Sequence, residues 1–543
     1  YKGILGPVSL KKGLADKSVK GKNSSKPEIL QQVLDAKFNM MNKATKLYSF
    51  VSLSRSVDGR NSVYNAKEQH LTRVLTDLEQ KFTWFETELA GLDKNELTKW
   101  VQKHPGLKKY EHYLFDFFRQ REHILPEEQQ KMMFILGSGM FREKEIYNTL
   151  SVADMQFEKV RLSTGEEVVA NMQNMERYQM MSPVQKDRKL VADANLKSFT
   201  KNKYTYAETF TSILQSRWAN ARIYKYPSCL DYVLEPDSIP KSVYTNFMEV
   251  AKNSNVPMQK YFSLRKQALG LDTLYKSDLG MSLLNFKKNY PWDDAVQLVK
   301  NSLSIFGHEY SNLIDSFYVA GNIDVYPVPG KRPGAFSLDV PDLHPYIMMN
   351  YNNSRSNLFT LVHETGHAMH SVLANKNQPP VSRAFPVFIA EVASIINEFA
   401  LLDYLVKHAE TPEERVDLLN QEINNFFGKF FRTAQLSEFE YIAYQKLEND
   451  LPTDIESLSS LFDSIETSYY GNILYREADE KYGWFRTQHL YNKYFYLFQY
   501  ATSYSAALSI FKSITDEKDA AIRKILADKY LDLLKAGGKD YPI

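Results

Sequence analysis

Apolar residues recur every three or four positions along most of the chain, the spacing of helices that each bury one face. The first clear case follows Ser25-Lys26-Pro27-Glu28, which combines a hydroxyl cap, a proline in the first turn and a reciprocal glutamate. Leu30, Val33, Leu34, Phe38 and Met41 then fall on one side. Thr411-Pro412-Glu413-Glu414 repeats the start signal, and Leu419, Ile423, Phe426, Phe427, Phe430 and Ala434 form a stripe that predicts a core-facing helix. Two stretches break the helical period. Met155 to Val169 alternates polar and apolar residues around Ser163-Thr164-Gly165, which predicts a hairpin beside a lobe boundary. Asn322 to Asn352 is punctuated by Pro327, Pro329, Gly330, Pro333, Gly334, Pro341 and Pro345, which predicts a small sheet with tight turns. The expectation is a mainly α protein divided into an N-terminal helical region, 1–150, and a larger region, 151–543, that carries the small sheet around 322–352.

Composition narrows the class. At 543 residues the chain exceeds one ordinary core, so two or more packed lobes are expected. Hydrophobic residues make up 43% and charged residues 24%, the balance of a globular protein. Lys+Arg number 67 against Asp+Glu 65, giving a net charge of +2 spread along the chain, which argues against a nucleic-acid or anionic-membrane partner. Cys229 is the only cysteine, so no internal disulfide forms, and a reducing, cytoplasmic compartment is expected. No apolar run has the roughly 18 to 20 residues of a membrane helix, and YKGILGPVSLKKGLADK lacks the apolar core of a signal peptide. Nothing in these residues fixes the oligomeric state.

Candidate chemistry sits in LFTLVHETGHAMHSVL, residues 358–373, which follows Ser354, Ser356 and Asn357, precedes Pro379-Pro380, and so predicts one bounded helix. His363 and His367, four apart, place two imidazoles on one helix face, the separation of two ligands on a tetrahedral zinc. Glu364 flanks that face, where it reaches water activated by the metal without ligating the metal. A random chain of this length shows the pattern roughly once in a hundred cases, so a third ligand is needed. A second, mostly apolar helix opening at Pro386 supplies it: Glu391 completes the His, His, Glu set, and Glu398, two turns on, orients an imidazole. His370 shares the face of His363 but lies a turn beyond His367 and is expected to pack instead of ligating. QHLYNKYFYLFQYATSY, residues 488–504, reads either as an aromatic core helix or as the source of oxyanion donors, with His489 among its tyrosines.

These residues resemble the oligoendopeptidase F group of the thimet-oligopeptidase-like zinc peptidases. The resemblance rests on GKRPGAFS before HPYIMMNYN, on FTLVHETGHAMHS, on FIAEVASIINE with Glu391 at the third-ligand position, and on FQYATSYSAA; weaker similarity runs from about Tyr48 to Leu125. It implies one Zn2+ held by His363, His367 and Glu391, with Glu364 as the catalytic base. It also implies an elongated, two-lobed helical fold around a deep central channel, lined by Gly330 to Ser337 and Tyr346 to Tyr351. His489, Tyr496 and Tyr500 would approach the substrate carbonyl, and short peptides would be cut at internal bonds. The chain departs from the pattern at Gln488, where relatives often have Pro, and at Ser503, where they often have Gly; relatives also continue briefly past GGKDYPI. Two other readings are a related zinc carboxypeptidase, with Lys331, Arg332 or Arg383 anchoring a free carboxylate, and a non-catalytic peptide-binding scaffold.

Overall fold

The computed structural model describes residues 26–139, 142–284, 286 and 288–542. The cap expected at Ser25 and the stretch from Tyr1 to Lys17 lie outside them. Helices dominate, and the described residues contain two small sheets. The chain forms two compact units, each assembled from separated segments.

The first unit falls within Tyr1–Ser138, Lys288–Asp403 and Ala506–Ile543. Its opening helix, Lys26–Val57, buries Leu30, Val33 and Leu34 against Phe85, Leu89, Leu97, Val101 and Leu114 of the short helices that follow. The far end of that helix is tied to a loop within the small sheet, where the Gly59 N–H donates to Gly330 O at 2.8 Å and the Arg332 N–H donates to Ser56 O at 2.8 Å. Gly330 has φ +92°, and a side chain there would strike Arg60 and Asp58, so glycine is required on both counts. The sheet expected between 322 and 352 is present. It comprises β3 (Ile323–Asp324), β4 (Phe336–Leu338) and β5 (Tyr346–Met348), in the order β3-β5-β4. β3 runs parallel and β4 antiparallel to β5, with Ser337 opposite Ile347. β4 is thus an edge strand, and it lies against the helix Arg355–Asn377.

The second unit comprises Gly139–Lys287 and Tyr404–Ser505. The expected hairpin lies in it as β1 (Lys159–Arg161) and β2 (Glu167–Val169), which turn through Gly165 at φ +86°. Thr411 caps the helix Pro412–Phe426 as predicted, accepting from the Glu414 N–H. The stripe that follows is only partly core. Leu419 and Ile423 are 43% and 38% exposed, whereas Leu418, Phe431 and Ala434 are buried. Leu418, not Leu419, is the one of the adjacent leucines that faces the core, and beyond Ile423 a π-helical turn, Phe427–Arg432, shifts the register of the residues that follow it.

Candidate metal centre and active site

The helix Arg355–Asn377 extends the predicted span at both ends. Ser354 caps it, accepting from the Asn357 N–H, and the Gln378 N–H closes it on Ala374 O. The second helix runs Val387–Lys407, with the Ile389 N–H donating to Pro386 O. The two helices cross at Gly366. A β-carbon there would sit 2.5 Å from the Ser394 Cα and 2.6 Å from the Ala393 carbonyl oxygen, so only glycine lets the backbones approach this closely. Asn397, fully buried, reaches back across the crossing from its Nδ2 to Val362 O at 3.4 Å and accepts from the Tyr310 hydroxyl.

That crossing brings Glu391 to the two histidines. The Nε2 atoms of His363 and His367 are 3.2 Å apart, and Glu391 Oε2 lies 3.4 Å from the first and 3.6 Å from the second. With metal–ligand bonds of about 2.0 to 2.2 Å, two ligands of a tetrahedral ion stand about 3.4 Å apart, so the three donors already occupy the corners of one face. The residues therefore fit a divalent metal held by two nitrogens and one oxygen, with a fourth position open. His363, His367 and Glu391 are the group of metal-capable side chains that the described residues bring together.

The surrounding groups orient this set. Glu398 Oε1 accepts from His363 Nδ1 at 2.6 Å, which turns Nε2 toward Glu391. The Ser394 hydroxyl donates to Glu391 Oε2 at 3.0 Å. Burial works to lower the pKa of His363, but the carboxylates of Glu398, Glu391 and Glu364 together outweigh it and the net shift is upward. Burial and then the charge on His363 push His367 down. Glu364 is 7% exposed, and burial pushes its carboxyl up to about 7, against the opposing pull of His363 and of the Ser337 N–H. A carboxyl near neutrality can both accept and return a proton. His370 packs as expected: it is 1% exposed and stacks on Phe385 at 3.6 Å.

The loop joining the two helices is fixed from outside. Gln378 Nε2 donates to Lys535 O at 2.7 Å, at the end of the helix Ala520–Ala536, and the Gly538 N–H donates to Ser382 O at 2.9 Å. Gly537, at φ +54°, and Gly538 lie so close to Ser382 and Ala384 that no side chain fits at either position.

The aromatic segment of the second unit is core in part. Tyr491, Phe495, Leu497 and Phe498 are buried core. His489, Tyr496 and Tyr500 remain half-buried and gather into one cluster, with ring centres 6.1 Å apart for His489 and Tyr496, 5.9 Å for His489 and Tyr500, and 5.3 Å for the two tyrosines. Burial, followed by the charge of Lys493, lowers the pKa of His489.

Gly366 and Asn397 escaped the sequence reading, which placed Ser337 in a channel-lining loop without its contact to Glu364. Gly366 stands inside the motif, but its partners at 393 and 394 carry no local sign of the contact. Ser337 acts through its backbone N–H, which every residue but proline offers. Asn397, a polar residue within an apolar helix, was the one readable signal.

Comparison with known proteins identifies the family. The profile of Peptidase family M3 matches residues 178–543, and that of Oligopeptidase F matches residues 88–157. Oligopeptidase PepF of Bacillus subtilis (strain 168) is 29% identical over 96% of this chain and 77% of its own length. The plasmid-encoded oligoendopeptidase F of Lactococcus lactis subsp. cremoris is 30% identical over 95% of this chain and 85% of its own. Among solved structures, a peptidase from Chlamydophila abortus superposes with a TM-score of 0.84 at 28% identity, covering 98% of this chain and 90% of that one. The oligoendopeptidase-F structure from Enterococcus faecium gives 0.74 at 24% identity with the same coverage. A histidine pair and a glutamate spaced for one metal, in a chain matched along most of its length by this family, lead to one conclusion: the chain belongs to peptidase family M3 and is a metalloendopeptidase of the oligopeptidase F type.

Proposed function

We propose that the protein hydrolyses internal bonds of short, unfolded peptides in the cytoplasm, with zinc held by His363, His367 and Glu391. The observation that carries this reading is the spacing of the three donor atoms, 3.2, 3.4 and 3.6 Å, with the buried Glu364 one residue along the same helix from His363. Zinc, when bound, supplies Lewis acidity toward water and the scissile carbonyl. Glu364 takes the proton of the attacking water and returns it to the leaving amine, a role suited to a carboxyl poised near neutrality. Glu398 holds His363 in the tautomer that leaves Nε2 free for the metal. His489, Tyr496 and Tyr500 donate to the oxyanion that forms on attack; imidazole and phenol are both competent donors.

The carboxypeptidase reading needs a free cation to anchor a terminal carboxylate. Lys331 buries its ammonium against Asp324 and the Tyr326 carbonyl oxygen, and Arg383 is engaged by Asp342, so neither is available without breaking those contacts. Arg332 lies over the Phe336 ring. Localisation in the cytoplasm draws on the single cysteine, Cys229, which is buried and allows no internal disulfide.

Mass spectrometry of the products from a blocked peptide of about ten residues tests this reading. Internal cuts that vanish with a chelator and return with zinc are expected. Survival of the blocked peptide, with trimming of a free-carboxylate version from its end, would establish the carboxypeptidase instead.

A further inference from the structure

Glu440 is a buried carboxyl that no step above uses. It lies on the helix Thr433–Glu448, is 1% exposed, and forms no ion pair among the described residues; its hydrogen bond is to the backbone N–H of Phe495, which donates to Oε1 at 2.8 Å. Phe495 is itself anomalous. It has φ +48°, in the left-handed region that a bulky residue avoids at a cost of about 1 to 3 kcal/mol. Its ring is 1% exposed and packs on Tyr444 at 4.8 Å and Tyr244 at 5.7 Å. Two unfavourable features, an unpaired buried carboxyl and a strained backbone, thus converge on one amide. That amide lies in the turn between the helix Gln488–Asn492, which carries His489, and the helix Phe498–Thr515, which carries Tyr500. The next residue is Tyr496.

We propose that Glu440 is a positioning residue: by holding the Phe495 amide in its left-handed conformation it sets the direction in which the turn presents Tyr496 to the substrate carbonyl. The inference rests on the oxyanion role of the His489, Tyr496 and Tyr500 cluster proposed above. Without an acceptor at 440 the strained conformation loses its partner, and the turn relaxes toward ordinary φ values, carrying the Tyr496 backbone with it. Burial pushes the Glu440 carboxyl up to about 8, so near neutral pH it acts mainly as a neutral acceptor that glutamine reproduces.

Steady-state kinetics, normalised to bound zinc, tests this with Tyr496→Phe, Glu440→Gln, Glu440→Met and the double variant Glu440→Met/Tyr496→Phe. Tyr496→Phe should lower kcat about 100- to 1,000-fold, as the loss of one oxyanion donor does. Glu440→Met, similar in length but without the acceptor, should lower kcat about 10-fold with KM within about twofold, whereas Glu440→Gln stays within about threefold of the parent. In the Tyr496→Phe background, Glu440→Met should cost less than about twofold, because its effect passes through the missing hydroxyl. If Tyr496→Phe is impaired while Glu440→Met is fully active, or if the two losses multiply, the positioning role is overturned and the oxyanion reading stands. Full activity of Tyr496→Phe overturns that reading and the positioning role with it. Should Glu440→Met fold poorly, Phe495→Pro replaces it: proline removes the N–H that Glu440 accepts and fixes φ at a negative value, so a kcat loss that disappears in the Tyr496→Phe background supports the proposal, and unchanged kcat overturns it.

Discussion

His363 and Glu398 are joined by a 2.6 Å hydrogen bond from Nδ1 to Oε1, and that contact determines which nitrogen of His363 faces Glu391. With Nδ1 donating to the carboxylate, the lone pair on Nε2 points to the space shared with His367 and Glu391. Glu398→Ala is expected to weaken zinc binding roughly 10- to 100-fold, with Glu398→Gln in between because its amide oxygen still accepts. Competition against a chelator of known affinity measures this. Unchanged zinc affinity in Glu398→Ala would show that the ring is oriented by other means.

Gly366 should prove as necessary as the ligands it separates in sequence. Gly366→Ala places a methyl 2.5 Å from the Ser394 Cα, a contact relieved only by moving the helices apart and drawing Glu391 away from the histidines. The expected outcome is loss of bound zinc and at least about a tenfold fall in kcat/KM, with helix content by circular dichroism preserved. A variant that keeps full zinc content and activity would mean that the crossing tolerates the shift.

Removing the base should leave the metal in place. Glu364 does not belong to the ligand set, so Glu364→Gln is expected to retain zinc at parental stoichiometry while losing about 100- to 10,000-fold in kcat. Metal analysis and turnover are measured on one preparation; high turnover with full zinc would reassign the proton transfer to another group.

Stability should respond to pH through Glu440. Burial raises its folded-state pKa from 4.5 to about 8, so between those values the folded protein holds a proton that the unfolded chain has released. Folding stability attributable to this group is therefore fully present below about 4.5 and falls as pH rises through 8. Glu440→Gln removes the titration, so relative to the parent it should gain on the order of 3 kcal/mol between pH 5 and pH 8.5. Urea unfolding at both values measures the difference, and parallel pH trends in parent and variant would contradict it.

What could be read before folding was chemistry compressed into short spacings. His363, Glu364 and His367 share two turns of one helix, and Glu391 with Glu398 share a face of the next, so five polar residues are legible from period alone. The hairpin around Gly165 and the small sheet between 322 and 352 were equally plain, because turn residues announce themselves locally. The stripe at Leu419 and Ile423 misled because Leu418 and Leu419 are adjacent and apolarity alone does not say which of the two faces the core. Gly366 and Ser337 act through contacts with residues distant in the chain, and periodicity carries no information about which helix crosses which. The return of the chain to the first unit at Lys288 and again at Ala506 is hidden for the same reason.

The clamp on the loop between the two ligand-bearing helices has a consequence for synthesis. Residues 363 to 391 leave the ribosome well before Lys535, Gly537 and Gly538, whose backbone groups receive and reach the loop at Gln378 and Ser382. A nascent chain can therefore expose both histidines and Glu391 while the connection between them is still unanchored. The anchored form of this connection arises only after translation has passed Gly538, so the geometry between the two helices is completed late in synthesis.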